Sequence, residues 1–180
     1  MADIKSSLEI ALERAAALEA SSSQDEEREA RERGEAWTRA FLNGDIAPEE
    51  YSQRWASLSP AGRPAALGVA LESLAQALGQ GSPQALAGLR VLTQGKPAAE
   101  PLLKSLEEVL ASLEQEVLRL EAVLSQRALE ELAELGIRGD AVRPNALAHP
   151  DFPALWREGS REAYNRLSAL TDKLGELLLG

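Results

Sequence analysis

Leu103, Leu106, Leu110, Leu113, Val117, Leu120 and Leu124 recur at steps of three, four, three, four, three and four, which is seven successive a and d positions of a heptad. Apolar residues at that spacing fix a helix and give it a stripe that must be covered. Continued strictly, the register would land on Arg127 and Glu131. The apolar side chains move instead to Ala128, Leu132 and Leu135, which locally relaxes left-handed supercoiling. Three of the four g positions, Leu102, Val109 and Val123, are apolar as well, Glu116 being the exception. A stripe that wide predicts a helix over about 101–135 that touches two neighbours in a bundle, not one in a zipper. One neighbour lies in the same chain. Trp156, Ser160, Ala163, Leu167, Leu170, Leu174 and Leu177 repeat the spacing in a helix over about 153–178, opened by Pro153. At ~1.5 Å per residue the long helix spans ~50 Å, and an antiparallel partner of that length covers roughly three quarters of it.

Upstream the chain is rich in Ala and Leu and poor in β-branched residues, which favours helix over strand. A first helix is expected from about Asp3 to Ala20, with Ile4, Leu8, Ala11, Ala15 and Leu18 on one face. Ser23 followed by Glu26 fits a capping box, so "SSSQDEE" reads as a break and restart. The next helix begins almost wholly charged, "QDEEREARERGE". It gains an apolar face only at Ala36, Trp37, Ala40 and Phe41, so its first half reads as a solvated arm. Pro48 opens a short helix whose Tyr51 and Trp55 are expected to meet Trp37 and Phe41. Ser59-Pro60 and Ser82-Pro83 each read as a cap followed by proline, starting two further helices. The fold class is therefore all-α, a bundle of six or seven helices. Residues 1–58 form partly charged N-terminal helices and 59–180 the bundle core, within one structural domain.

The net charge of −10 is unevenly spread: −6 over 1–58, +2 over 59–99, −6 over 100–135 and zero over 136–180. No segment offers the basic stripe that counterion-release binding to nucleic acid requires. Residues 59–99 hold only four charged side chains, so they belong inside the bundle or at a subunit interface. They lack the basic polar face of a helix lying on a membrane. No uncharged apolar run approaches the ~20 residues of a membrane span, and the N-terminus carries no secretory pattern. A cytoplasmic location is expected.

The residue census refuses most site chemistries. A chain with no cysteine and one histidine cannot build a Cys/His zinc site or the paired Glu-x-x-His of a di-iron bundle. Phosphate-binding glycine loops and the G-x-S-x-G elbow are absent from the sequence. No cofactor, metal or catalytic residue is expected, and acidic pairs such as Glu107-Glu108 read as the wet face of a helix. What stands out is "GIRGDAVRPNALAHPDFP", residues 136–153, far longer than the few residues that join helices in a bundle. Loops of that length either pack as connectors or bind something. Its candidate binding residues are Arg138, Asp140, Arg143, Asn145, His149 and Asp151.

Two resemblances attach to particular stretches. His149-Pro150-Asp151, followed by "REAYNRLSAL" at 161–170, is similar to the tripeptide and following helix of J-domain co-chaperones, which implies engagement of an ATP-driven heat-shock partner. "ADIKSSLEIALERA", the charged helix leading into "AFLNGDI" and the long helix resemble an uncharacterised family of small helical bacterial proteins. That likeness implies a bacterial, mainly helical protein and transfers no site. The sequence thus favours a non-enzymatic scaffold or adaptor that binds protein surfaces, with a homodimer as the preferred assembly. Small-molecule or anion binding at 136–153, possibly enzymatic, and a co-chaperone role are the alternatives.

Overall fold

A computed structural model of the chain describes residues 7–139 and 142–180, with side chains described from residue 23 on. Among these residues there are six α-helices and two short 3-10 turns: α1 (Ser7–Leu42), α2 (Pro48–Ala56), α3 (Arg63–Gly79), α4 (Pro83–Leu92), η1 (Pro97–Ala99), α5 (Glu100–Glu134), η2 (Ala146–Ala148) and α6 (Phe152–Leu179). The all-α bundle is as expected, and the long helix packs against the C-terminal one. The chain divides into two compact units, 1–97 with 175–180, and 98–174.

In the first unit α1, α2, α3 and α4 close on an aromatic centre. The Phe41 and Tyr51 rings stack with centroids 4.6 Å apart, and Trp55 meets Tyr51 and Trp37 edge to face at 5.9 and 6.4 Å. Tyr51 is completely buried, and its hydroxyl shares a 2.8 Å hydrogen bond with that of Thr38, so neither buried polar group is orphaned. Burial pushes the Tyr51 phenol above its ordinary pKa, against the opposing effect of Thr38.

The N-terminal segment departs from the sequence reading in three ways. First, α1 is one helix of 36 residues, with no break at the serines. Serine costs only tenths of a kcal/mol in a helix interior, so three of them do not end one. Glu26, expected to close a capping box on Ser23, instead accepts a hydrogen bond from the Ser59 hydroxyl. The face expected at Ile4, Leu8, Ala11, Ala15 and Leu18 lies outside the described side chains. Second, the charged half is no free arm. Ala30, Gly34 and Thr38 are buried at four-residue steps against α3, with Phe41 continuing the line, while Ala36 is exposed. A Cβ added at Gly34 would stand 2.9–3.0 Å from the backbone and Cβ of Ala66, and one at Gly62 would stand 2.7 Å from the Ala30 Cβ. Small residues let these two helices approach more closely than leucines would, and the charges line the opposite face. Third, Ser59-Pro60 does not start α3. Its hydroxyl accepts from the Gly62 N–H at 3.1 Å in a preceding turn, and the helix begins at Arg63 with Pro64 in its first turn. Ser82-Pro83 does start α4, with Pro83 in its first turn, but the Ser82 hydroxyl donates to the Gln84 side chain and caps no backbone N–H.

The second unit is a hairpin of α5 and the greater part of α6, with η2 against α5. A Schellman motif ends α5: Gly136 takes φ +80°, its N–H reaches the Ala133 carbonyl at 3.1 Å, and Ile137 N–H reaches that of Leu132 at 2.9 Å. On α6, Ser160, Leu167 and Leu174 are buried. The leucine ladder of α5 is buried at Leu103, Leu106, Leu120 and Leu124, but Leu110, Leu113 and Val117 between them are only half covered. The reason lies across the hairpin. Glu116 sits against Gly159, so the middle of the ladder faces the stretch of α6 that carries the small residues Gly159, Ser160 and Ala163. The register shift also fails to bury its end, since Leu135 is 77% exposed.

Candidate functional site

The sequence pointed to the loop between α5 and α6, and the structure gives most of its polar groups an intramolecular task. Asn145 caps η2, its side-chain oxygen accepting from the Leu147 N–H at 3.1 Å. Asp151 pairs with Arg127 of α5 at 2.6 Å, tying the start of α6 to the long helix. His149 Nδ1 accepts from the Asp151 N–H at 3.2 Å, which leaves the ring proton on Nε2. That nitrogen is buried, has no hydrogen-bond partner, and lies 3.8 Å from the Glu131 carboxylate. Arg138 and Arg143 are exposed and form no ion pair among the described residues. Asp140 lies outside the described residues. The loop thus brings His149 and Asp151 together over α5, and neither arginine pairs with Asp151.

A second feature was not read from the sequence. Phe152, Trp156 and Tyr164 run along one flank of α6, the first two rings parallel with centroids 6.3 Å apart and the third edge-on to Trp156 at 6.3 Å. With Pro153, Arg157 and Arg161 they line a shallow, mostly apolar depression of about 570 Å³. The sequence counted Trp156 as a ladder position facing α5. Aromatic residues at i, i+4 and i+12 drift ~40° per four-residue step, so they run obliquely off the ladder onto the helix flank. That drift was the available signal.

The same hairpin exposes large apolar side chains on α5 and the loop. Leu118 is 64% exposed, and Val123, Leu129, Ile137 and Leu147 are each between 42 and 50% exposed. Every large exposed hydrophobic residue among the described positions except Leu179 belongs to 98–174. By contrast, the groove between α1 and α3 is lined by Glu35, Arg39, Ser73, Gln76 and Gln80, polar groups at the surface with Arg39 already paired to Glu35. No cluster of three potential metal ligands occurs among the described residues. None of the helices among those residues is long and apolar enough to cross a membrane.

Comparison with known proteins adds no further constraint: no protein-family model, curated protein or solved structure matches the chain.

Proposed function

We propose that this protein is a non-enzymatic interaction module, a scaffold, adaptor or assembly subunit of the bacterial cytoplasm, whose 98–174 hairpin supplies the docking surface. The observation that carries this reading is the exposed apolar flank. A stripe on α5 wide enough for two helices has one shorter neighbour within the hairpin, and Leu118, Val123 and Leu129 of α5 are exposed. Interfaces of this kind combine a central apolar or aromatic anchor with a charged rim, and α6 presents both beside each other. The experiment is affinity capture with the wild-type chain and with Leu118→Glu and Leu129→Glu, each checked for unchanged helicity by circular dichroism. The folded variants are expected to lose the protein partner. Retention of every partner by both variants sinks the reading.

A second reading, binding of an anion or small molecule at 136–153, draws on the orphaned Nε2 of His149 and on the exposed Arg138 and Arg143. A His149→Ala variant that matches wild type in a thermal-shift screen of anions and metabolites removes it. The co-chaperone likeness draws the least support, because His149 Nδ1 and the Asp151 carboxylate are both engaged within the chain. The likeness to helical bacterial proteins of unknown function agrees with the fold and names no activity.

A further inference from the structure

We propose that the aromatic, arginine-edged flank of α6 binds an acidic amphipathic helix of a partner protein. The partner's apolar side chains rest on Phe152, Trp156 and Tyr164, and its carboxylates reach Arg157 and Arg161. This inference rests on the interaction-module reading and names the chemistry of its partner.

Two observations select that chemistry. The first is charge. Arg157 and Arg161 stand one turn apart, both exposed, and neither forms an ion pair among the described residues. Each is the other's four-residue neighbour, and their remaining four-residue neighbours are Pro153 and Asn165, so α6 supplies no carboxylate at that spacing. Like charges so placed cost an isolated helix stability. Glu158 and Glu162 lie about 100° away around the helix, so α6 separates its charges instead of pairing them. In a chain with 29 acidic and 19 basic residues, two unpaired arginines on one edge are an opening for a carboxylate from outside.

The second observation is shape. The depression that the arginines border is about 570 Å³, and its lining residues, between Phe152 and Asn165, all belong to one helix. At ~1.5 Å per residue it runs ~20 Å along the axis, about three turns of a second helix laid beside it. One helix flank cannot enclose most of a small molecule, as ligand pockets do. An opposing helix needs no enclosure. Its apolar residues at three- and four-residue steps settle on the rings, and acidic residues four apart stand ~6 Å from each other, the same step that separates Arg157 from Arg161. A polyanion fits less well. Helix α5, packed along α6, carries nine acidic residues against three basic, a field that repels a phosphate backbone or an anionic lipid surface more than a peptide with two carboxylates. A face of ~20 Å by ~10 Å covers ~200 Å², far below the ~800 Å² per partner of a standard interface, which suits a transient contact.

The test is selection of random, phage-displayed peptides of about 14 residues on the full chain. Peptides with acidic residues at i and i+4 beside Leu, Phe or Trp anchors are expected to be enriched. Synthetic copies titrated into ¹⁵N-labelled protein are expected to shift the Trp156 indole resonance and leave those of Trp37 and Trp55 in place. Arg157→Glu/Arg161→Glu is expected to weaken binding by at least about tenfold with helicity unchanged. Replacing the peptide's acidic residues with Lys is expected to restore binding to that double variant, which a merely structural role for the arginines would not do. No enrichment overturns the proposal, as do selected peptides that bind the double variant as well as wild type. Tighter binding of oligothymidylate, or of phosphatidylserine vesicles, than of any selected peptide at the same arginines also overturns it. The two failures are separable. Partner capture that depends on Leu118 and Leu129, with no peptide selected, removes this site and keeps the interaction module. Capture that ignores both leucines, again with no peptide selected, removes both.

Discussion

The two units solve the problem of covering apolar helix faces in opposite ways. In the first, glycine and alanine bring α1 and α3 together, α2 and α4 close the remaining sides, and the aromatic residues lie inside. In the second, two long helices lean on each other along one ladder, the middle of that ladder is half open, and the aromatic residues lie on the flank. Four helices can enclose a core, but two can only share a seam. The difference separates a part of the chain whose apolar faces are enclosed from a part whose apolar faces are partly open.

The contrast can be broken first at Tyr51. Tyr51→Ala removes a fully buried ring stacked on Phe41 and strips Thr38 of its partner, and is expected to cost about 3–5 kcal/mol. Urea denaturation followed through Trp37 and Trp55 in a Trp156→Phe background reads it. A loss below about 1 kcal/mol would mean that the first unit's core is not closed around this ring.

Glycine to alanine sharpens the comparison, because the same change should act oppositely in the two units. At Gly34 the added methyl meets Ala66 backbone that cannot step aside, so overpacking of about 1–3 kcal/mol outweighs the ~1 kcal/mol gain in helix propensity. At Gly159 the added methyl meets only the carboxylate of Glu116, the free end of a flexible side chain. Glu116 swings away, and Gly159→Ala should leave thermal stability unchanged or raise it by up to about 1 kcal/mol. Equal destabilisation at both sites would mean that the hairpin is packed as tightly as the first unit.

The smallest effect concerns Glu116 itself. Hydrogen bonds from Arg119 at 2.6 and 2.8 Å hold its carboxyl below the usual carboxylate pKa. A lowered folded-state pKa contributes stability above the unfolded-state value and loses it as pH falls through the folded-state value. Glu116→Gln should therefore lower stability slightly at neutral pH, leave it almost untouched below the folded-state pKa, and so flatten the acid limb of the stability–pH curve. An unchanged acid limb would remove the pair from the account.

The long elements were the most legible in the sequence. The ladder located α5 to within one residue at each end, because 22 residues of strict period over 103–124 leave no competing reading, and Pro153 marked α6 equally well. The meeting of Trp37 and Phe41 with Tyr51 and Trp55 followed from spacing alone. What the sequence hid was packing by residues with no hydropathy signal. Ala30 and Gly34 lie among charges and look solvated, yet their small size is what lets α3 approach. The Ser59 hydroxyl looked like a cap and serves a preceding turn pinned to Glu26. On the site side, the loop stood out by its length, whereas the flank of α6 was hidden by counting Trp156 as an inward position.

The most direct test is hydroxyl-radical footprinting of the full chain at a concentration low enough to keep it monomeric, read residue by residue by mass spectrometry. The open-hairpin account predicts strong labelling of Leu118, Leu129 and Leu135 and protection of Tyr51, Leu74 and Leu106. Protection of Leu118 and Leu129 equal to that of Leu74 in the dilute monomer would contradict it, since those side chains would then already be covered within the chain.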